Sequence, residues 1–367
     1  MESVKSVVQT PASNLPSVDP LTTVPTAASA LDPALLFEHF RGSFATELLV
    51  AATAHLGVFR LLADGALQSE VLRGKLGLEA RPFRVLITAL RAMGTLTESA
   101  DQIGMTPMAA THLVSSSPYF VGDYFSLAAG SPGVLSMVER LRTNRPAGGD
   151  SGGVAFIYRE GMVSAMEAEA GARFFTLALS GRARNVAPVL AEQMPLAGAG
   201  LLVDVGGGTG VYSIALLRAN PELRAVVWDR PEVLRVAAEF ASGSGVAERL
   251  ELRPGDMFRD PFPSGADVVL LSNILHDWDE NECRELLARC AAALPSGGRL
   301  LIHDVFLDDD LGGPLPIALY SAALFSVTEG RAYSVAEYRA MLVEAGFGVT
   351  QVVPTRVHCG VLVAVRK

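Results

Sequence analysis

The sequence predicts an α/β protein whose C-terminal half forms a largely parallel sheet and whose N-terminal part is mostly helical. The stretch from Leu201 to Gly210 joins an apolar run to an acid and a glycine cluster, as in a buried strand that turns sharply into a helix. Apolar strands and amphipathic stretches then alternate, and this order favours parallel strands joined by right-handed crossovers. Between Leu35 and about Leu113, apolar residues recur at helical spacing instead.

Composition indicates a well-buried globular protein. Of 367 residues, 50% are apolar and 19% are charged, and this length favours two domains. The net charge of −9 argues against nucleic acid as a partner, because a polyanion requires a clustered basic face. No apolar run reaches the 18 residues of a membrane span, and no secretory signal is recognisable. We therefore expect no membrane partner. The three cysteines lack paired spacing, so we expect reduced thiols and a cytoplasmic location.

Four regions follow one another along the chain. Residues 1–32 are rich in Ser, Thr and Pro and predict a disordered tail. Residues 33–115 contain short helices followed by a small hairpin, which is the outline of a winged helix. Residues 116–197 predict a helical linker with pocket helices, and residues 198–367 form the alternating strand and helix region.

A winged helix raises the hypothesis of a DNA-binding regulator. Its candidate recognition helix runs from Arg81 to Met93, before a hairpin within Gly94 to Thr106. The only basic groups on that helix are Arg81, Arg84 and Arg91, and the domain also carries acids. A sequence-specific DNA-binding surface is therefore the less favoured interpretation.

The first βαβ unit indicates a nucleoside site. After Gly210 comes a helical stretch to Asn220, then an apolar strand that Asp229 closes. This acid lies about 20 residues beyond the glycines, where a carboxylate accepts ribose hydroxyls. The contiguous glycines lack the spacing of the dinucleotide pattern, which argues against a nicotinamide enzyme.

Five motifs occur in one order. They are Asp-Val-Gly-Gly-Gly-Thr-Gly at 204–210, Asp-Arg-Pro-Glu at 229–232, Gly-Asp-Met-Phe at 255–258, Leu-His-Asp-Trp at 275–278 and Gly-Gly-Arg-Leu at 297–300. From about residue 36 onward, the chain resembles the class I S-adenosyl-L-methionine-dependent methyltransferases, within them the small-molecule O-methyltransferases of plant phenolics and actinobacterial secondary metabolism. The resemblance implies a Rossmann-like catalytic domain at 198–367 with a mainly parallel seven-stranded sheet. It also implies a homodimer formed through the winged-helix dimerisation domain at 33–115.

The resemblance implies that the chain binds S-adenosyl-L-methionine and releases S-adenosyl-L-homocysteine. Asp229 would bind the ribose, Gly206 and Gly208 would admit the methionyl part, and Asp256 with Met257 would hold the adenine. For Asp256, a helix cap or turn is the structural alternative. The full set of expected cofactor residues is Asp204, Gly206, Gly208, Asp229, Arg230, Asp256, Met257, Ser272 and Asn273.

The expected general base is His276, at the end of a predicted strand. Imidazole and phenol pKa values differ by about 3.5 units, or about 5 kcal/mol, and methyl transfer offsets that difference. The family surrounds this His with two carboxylates, and Asp304 occupies the first place. At the second place Ala332 replaces the family's glutamate, while Glu329 lies three residues earlier. This exchange argues against ordinary phenol O-methylation, because the imidazole loses one of its expected orienting partners.

The acceptor pocket is expected to be apolar and aromatic. An apolar stripe at helical spacing between Tyr158 and Ser180 is equally typical of a core helix. In the resembling family the corresponding helices cover the acceptor. The expected lining residues are Met166, Phe174, Phe175, Tyr320 and Phe325.

Three alternatives concern the chemistry. The first is C-methylation at the β-carbon of an α-keto acid, with a divalent metal held by His276, Asp277 and Glu329, because such a metal stabilises an enolate directly. In metal-free relatives the Asp of His-Asp-Trp caps the next helix instead, and His303 is a less favoured ligand. The second is a silent binder that holds the cofactor without turnover. The third uses the cofactor only as a positive charge.

Overall fold

The computed structural model describes residues 22–145 and 169–367. They pack into two compact units. The helical unit comprises residues 35–145 and 306–336, and the sheet unit comprises residues 22–34, 169–305 and 337–367. The continuous domain boundaries expected from sequence stay predictions.

The helical unit consists of short helices around one hydrophobic core. Its helices are α1 (Ala34–Arg41), α2 (Ser43–Val50), α3 (Val58–Leu61), α4 (Ser69–Leu76), α5 (Ala80–Ala92), α6 (Pro107–His112), α7 (Gly122–Phe125), α8 (Pro132–Thr143) and α13 (Leu315–Val327). A π-helical turn, Ala51–His55, continues α2. Ala322 and Phe325 of α13 belong to the same core cluster as Leu86 and Leu90 of α5.

A small antiparallel sheet flanks α4 and α5. Its strands are β1 (Leu67–Gln68), β2 (Leu96–Ser99) and β3 (Gln102–Met105), in the order β1-β3-β2. The hairpin predicted between Gly94 and Thr106 is therefore present, with Ala100 and Asp101 at positive φ in its turn.

The sheet unit contains the large sheet. Its strands are β4 (Leu201–Val205), β5 (Arg224–Asp229), β6 (Leu250–Pro254), β7 (Val268–Ser272), β8 (Arg299–Leu307), β10 (Phe347–Pro354) and β11 (Cys359–Arg366). Its helices are α9 (Glu169–Gln193), α10 (Val211–Ala219), α11 (Pro231–Ser242), α12 (Glu280–Ala293) and α14 (Val335–Glu344). The last two residues of β8 pair with the short β9 (Tyr333–Ser334).

The sheet is mainly parallel and seven-stranded along its main path, as predicted. Its order is β10-β11-β8-β7-β4-β5-β6, and only the pairs β10–β11 and β11–β8 are antiparallel. The strand order reverses between β4 and β7, and ligands of such sheets bind at the carboxyl ends of the strands beside this reversal. The motifs of β4, β5 and β7 all end at that edge.

Helix α9 packs along α10 and α11. Arg173 pairs with Glu239, and Glu169 lies 3.2 Å from Arg235, so ion pairs join α9 to α11. The part of the predicted helix before residue 169, with Met166, lies outside the described residues.

Cys283, Cys290 and Cys359 are all buried and none forms a disulfide. Among the helices of residues 22–145 and 169–367, none combines the length and apolar character that crossing a membrane requires.

Candidate active site

The turn after β4 has a backbone that only glycine adopts easily. Gly206, Gly208 and Gly210 have φ angles of +63°, +58° and +70°. A methyl group on Gly206 would lie 2.5 Å from Ile274 Cδ1, whereas one on Gly208 would meet no atom within 4 Å. The turn therefore presents bare backbone to open space directly before α10.

Two carboxylates fix this turn. Asp204 is fully buried, and its Oδ2 accepts a 2.7 Å hydrogen bond from the Ser213 hydroxyl. Burial raises the pKa of Asp204 to about 7. Asp229 Oδ2 accepts the Gly208 N–H at 2.8 Å, and its Oδ1 accepts the Arg230 N–H at 2.7 Å. Burial also raises the pKa of Asp229.

An open pocket of about 280 Å³ lies beyond β5 and β6. Its lining residues are Arg230, Pro231, Pro254, Gly255, Asp256 and Asp260. Asp256 Oδ1 accepts the backbone N–H groups of Phe258 and Arg259 at 2.8 and 3.2 Å, so this side chain caps a turn as well as lining the pocket. Met257 is half-buried in the same turn.

These features fit a nucleoside cofactor. The glycine turn opens to space at the amino end of α10, and backbone N–H groups at the amino end of a helix are able to bind a ligand. Asp229 lies at the adjacent strand end, and Arg230 next to it lines the pocket.

A polar network occupies the carboxyl end of β7. Asn273 has a φ of +57°, and its Nδ2 donates to Ser272 Oγ at 3.1 Å. Ser272 Oγ lies 2.8 Å from His303 Nδ1. The Arg182 guanidinium of α9 donates to Asn273 Oδ1 at 2.6 Å and to Cys359 Sγ at 2.7 Å. Nothing in the helical pattern distinguishes Arg182 from Arg184, so sequence reasoning missed this residue.

His276 is part of a buried hydrogen-bond group, but it does not end a strand. The strand prediction was wrong, because β7 ends at Ser272 and His276 lies in the 3-10 turn Leu275–Asp277. Its Nδ1 donates to Asp304 Oδ1 at 2.5 Å. Asp304 Oδ1 also accepts the N–H of Val305, and the hydroxyl of Tyr338 lies 3.4 Å from Oδ2.

The charges around His276 set its protonation. Burial alone would lower the pKa of His276, but Asp304 and Asp277 outweigh burial and hold that pKa above its ordinary value. The Nε2 atom lies 3.6 Å from Asp277 Oδ1. Burial raises the pKa of Asp277 to about 7. Since Nδ1 donates its hydrogen to a carboxylate, Nε2 is the ring nitrogen that gains a proton when the neutral imidazole becomes an imidazolium.

Asp277 does not cap the next helix. That role belongs to Asp279, whose Oδ1 accepts the N–H of Glu280 at 2.9 Å at the start of α12. The helix-cap interpretation of the Asp in the His-Asp-Trp motif is corrected accordingly.

The remaining predicted site residues belong to different parts of the fold. Phe174 and Phe175 make an edge contact on α9, with ring centroids 5.2 Å apart. In the helical unit, Tyr320 lies under the Arg41 guanidinium, and Phe325 is fully buried in the core. Glu329 is buried just beyond α13.

Across residues 22–145 and 169–367, no three His, Cys, Asp or Glu side chains are grouped as a metal site requires.

The arginines of α5 are engaged inside the helical unit. Arg81 is 6% exposed and bonds to backbone carbonyls, Arg84 lies 3.7 Å from Glu98, and Arg91 bonds to Glu98 and Asp310. These contacts leave the regulator hypothesis without the basic helix face that it needs.

Comparison with known proteins adds independent findings. The O-methyltransferase domain model matches residues 154–348. The 3-hydroxy-5-methyl-1-naphthoate 3-O-methyltransferase of Streptomyces sahachiroi is 37% identical over 316 residues, which cover 86% of this chain and 89% of that protein. The acetylserotonin O-methyltransferase of Bos taurus is 33% identical over 324 residues, covering 85% of this chain and 92% of that protein.

Solved structures give the same result. An O-methyltransferase family 2 protein from Planctomyces limnophilus, in complex with apigenin, superposes with a TM-score of 0.85 at 46% identity, covering 93% of this chain and 98% of that chain. Human N-acetylserotonin methyltransferase, in complex with S-adenosyl-L-methionine, has a TM-score of 0.58 at 26% identity, with coverages of 92% and 99%.

Proposed function

Because the chain belongs to the O-methyltransferase family and is an S-adenosyl-L-methionine-dependent methyltransferase, we propose that it methylates a hydroxyl group of a small aromatic metabolite, with His276 as general base. The cofactor, when bound, supplies an electrophilic methyl group. The chain's own residues must then orient the acceptor and remove its proton.

The observation that carries this proposal is the 2.5 Å hydrogen bond between His276 Nδ1 and Asp304. This bond fixes the imidazole tautomer and leaves Nε2 to take the hydroxyl proton. The Asp304 carboxylate stabilises the imidazolium that results. Because the pKa of His276 is raised, it lies closer to that of a phenol, about 10, and the cost of proton transfer falls.

For the cofactor, we propose the edge of the sheet unit at β4, β5 and β7. The backbone of Gly206 and Gly208 would receive the methionyl part, and Asp229 would accept the ribose hydroxyls. The proposed remaining contacts are Asp204 from beneath the turn, Arg230, Asp256 and Met257 around the pocket, and Ser272 and Asn273 beyond β7. The open space above Gly208 and the pocket of about 280 Å³ support this placement.

For the acceptor, we propose a planar phenolic compound. The solved relative from Planctomyces limnophilus contains apigenin, and the relative from Streptomyces sahachiroi is named for a hydroxynaphthoate. The proposed pocket residues are Met166, Phe174, Phe175, Tyr320 and Phe325. Glu329 is the proposed second carboxylate of the site, in place of the glutamate that Ala332 replaces.

We also propose a homodimer formed through the helical unit. This unit exposes several large apolar side chains, which are Leu35, Leu36, Phe40, Tyr124 and Leu127, each at least 60% exposed. Leu35, Leu36 and Phe40 lie on the same short helix, α1, and contiguous exposed apolar surface is typical of protein interaction sites.

One experiment separates this function from its alternatives. Purified protein is incubated with S-adenosyl-L-methionine and a panel containing apigenin, 3-hydroxy-5-methyl-1-naphthoate and an α-keto acid, with and without EDTA. The position of the new methyl group is read by mass spectrometry and NMR. We expect an O-methyl phenol and equal yield under chelation. A C-methyl product that EDTA abolishes would instead support the metal triad, and cofactor binding without any product would support the silent binder.

A further inference from the structure

Arg81 is a buried cation with several backbone partners in the helical unit. Its side chain leaves the first turn of α5 and is 6% exposed. Nη1 donates to the carbonyl oxygens of Thr328 at 3.0 Å and Gly330 at 3.2 Å. Nε and Nη2 donate to Asn144, to Oδ1 at 2.9 Å and to the backbone oxygen at 3.2 Å. One side chain thus connects three separate parts of the sequence.

The guanidinium is also matched to its surroundings in shape and charge. Its Cζ lies 4.9 Å from the ring centroid of Phe325, which is 1% exposed. Thr328 is the C-cap residue of α13, and carbonyls at a helix C-terminus carry partial negative charge. The planar guanidinium has several N–H donors that reach these oxygen atoms together, whereas a lysine ammonium would reach only some of them.

The two carbonyls held by Arg81 flank Glu329. The same segment is tied down again, because the Gly330 N–H donates to Thr328 Oγ1 and the Ala332 N–H donates to Ser321 Oγ, both at 3.1 Å. The backbone on each side of Glu329 is therefore hydrogen-bonded to α5 and α13. These bonds fix the position of the Glu329 Cα atom, from which the side chain extends.

We propose that Arg81 is a positioning residue that holds Glu329 in place, so that the proposed function of Glu329 in acceptor turnover depends on Arg81. This inference rests on the proposed role of Glu329. Removal of the guanidinium leaves buried carbonyls without donors, and the segment then loosens. The cofactor residues proposed above belong to the sheet unit, so the effect should fall on the acceptor.

Hydrogen exchange tests the first half of the proposal without any substrate. Arg81→Gln is compared with Arg84→Gln, a matched control three positions along α5. The guanidinium of Arg84 lies 3.7 Å from the carboxylate of Glu98, which is longer than a hydrogen bond. We expect Arg81→Gln to speed exchange of the Gly330 and Ala332 amides by about tenfold or more, since their local opening becomes easier. The control should leave both amides unchanged. Unaltered protection in Arg81→Gln would overturn the proposal, and Arg81→Lys provides a milder variant if Gln prevents folding.

A double-mutant cycle tests the second half. With the phenol methylated fastest in the panel above, we expect Arg81→Gln to lower kcat/KM for the acceptor by about 10–100-fold and to leave the Kd for S-adenosyl-L-methionine within about twofold. In a Glu329→Gln background, the Arg81 substitution should add little, because both changes act on one group. Arg81→Lys should recover part of the loss.

The outcomes are distinct. Fully additive losses in the cycle, or an Arg81→Gln enzyme with unchanged acceptor kinetics, overturn the positioning role. If Glu329→Gln alone keeps full activity, the proposed function of Glu329 fails, while the exchange data still decide whether Arg81 orders the segment.

Discussion

His276 owes its properties to two carboxylates that act against its burial. In an apolar setting an imidazole prefers to be neutral, but Asp304 and Asp277 raise its pKa. A base with a raised pKa abstracts a phenolic proton more readily, provided that it is itself deprotonated at the working pH. For the proposed base, the two carboxylates therefore increase the basicity of His276 and lower the fraction of His276 that is neutral at a given pH.

Replacement of His276 with Gln should remove the base and leave the cofactor site intact. We expect kcat to fall by about 10²–10⁴-fold, the usual contribution of a general base. Steady-state kinetics measure this loss, and calorimetry with S-adenosyl-L-homocysteine provides the internal control, because its affinity should stay the same. Retention of more than about a tenth of kcat would contradict the assignment.

Asp304→Asn should move the pH profile as well as the rate. In the proposed mechanism activity requires neutral His276, so kcat/KM should rise as pH increases through the His276 pKa. Loss of the Asp304 charge lowers that pKa, and the acidic limb of the profile should move to lower pH while the plateau falls.

Asp277→Asn is the matched comparison. Asp277 contributes less than Asp304 to the raised pKa of His276. The acidic limb of the pH profile of Asp277→Asn should therefore move in the same direction by a smaller amount. A limb that stays in place in both variants would show that another group titrates.

Motifs located Asp229, His276 and Asp304, but they left Arg81 and Arg182 unmarked. Arg81 meets Gly330 across 249 positions and Arg182 meets Cys359 across 177 positions. Local periodicity does not reveal such pairings. The sequence around an arginine on a helix is the same whether the guanidinium binds water or a distant carbonyl.

The turn between β4 and α10 combines a left-handed backbone with the proposed cofactor contact. Its left-handed glycines make the chain reverse tightly, and the missing side chain of Gly208 keeps a space open. The same backbone would cost an alanine about 1–2 kcal/mol.

Gly208→Ala should therefore separate stability from binding. We expect a loss of about 1–2 kcal/mol in the free energy of unfolding, together with a fall in S-adenosyl-L-methionine affinity of at least about tenfold, since the new methyl group enters the proposed cofactor space. Gly198→Ala is the control, because Gly198 also has a positive φ, +81°, and no atom within 4 Å of its added methyl. Equal affinity losses in both variants would remove the turn from the proposed cofactor site.

Element prediction succeeded where periodicity was strong and failed where the chain left the sheet. The hairpin after α5 and the parallel strands were predicted, because alternation and glycine spacing are local signals. The turn that carries His276 was predicted to be a strand end. Strand β7 stops at Ser272 because Asn273 has a positive φ, and the apolar run before it does not indicate that φ.

Several large apolar side chains of the helical unit are exposed. Phe40 is 81% exposed on α1 of the helical unit, and Leu127 of the same unit is also 81% exposed. Apolar surface of this extent is what the proposed dimer would cover.

Phe40→Asp should convert the proposed dimer to a monomer, because an interface core does not accept an unpaired charge. Analytical ultracentrifugation measures the change. Val343→Asp is the control, since Val343 is 54% exposed on α14 of the sheet unit and should leave the mass unaltered. A wild-type protein that sediments as a monomer would refute the dimer directly.

The overall architecture was largely predictable, since composition and strand order indicated an α/β fold. The structure adds the placement of residues 306–336. They pack in the helical unit because Ala322 and Phe325 complete its apolar core.

This arrangement has a consequence for biosynthesis. Residues 35–145 leave the ribosome roughly 160 residues before 306–336, which at typical elongation rates corresponds to about 10–30 s. Throughout that interval the nascent helices lack Ala322 and Phe325 and keep an apolar gap open to solvent. Chaperone engagement during translation should therefore be strongest in this window and end when α13 emerges.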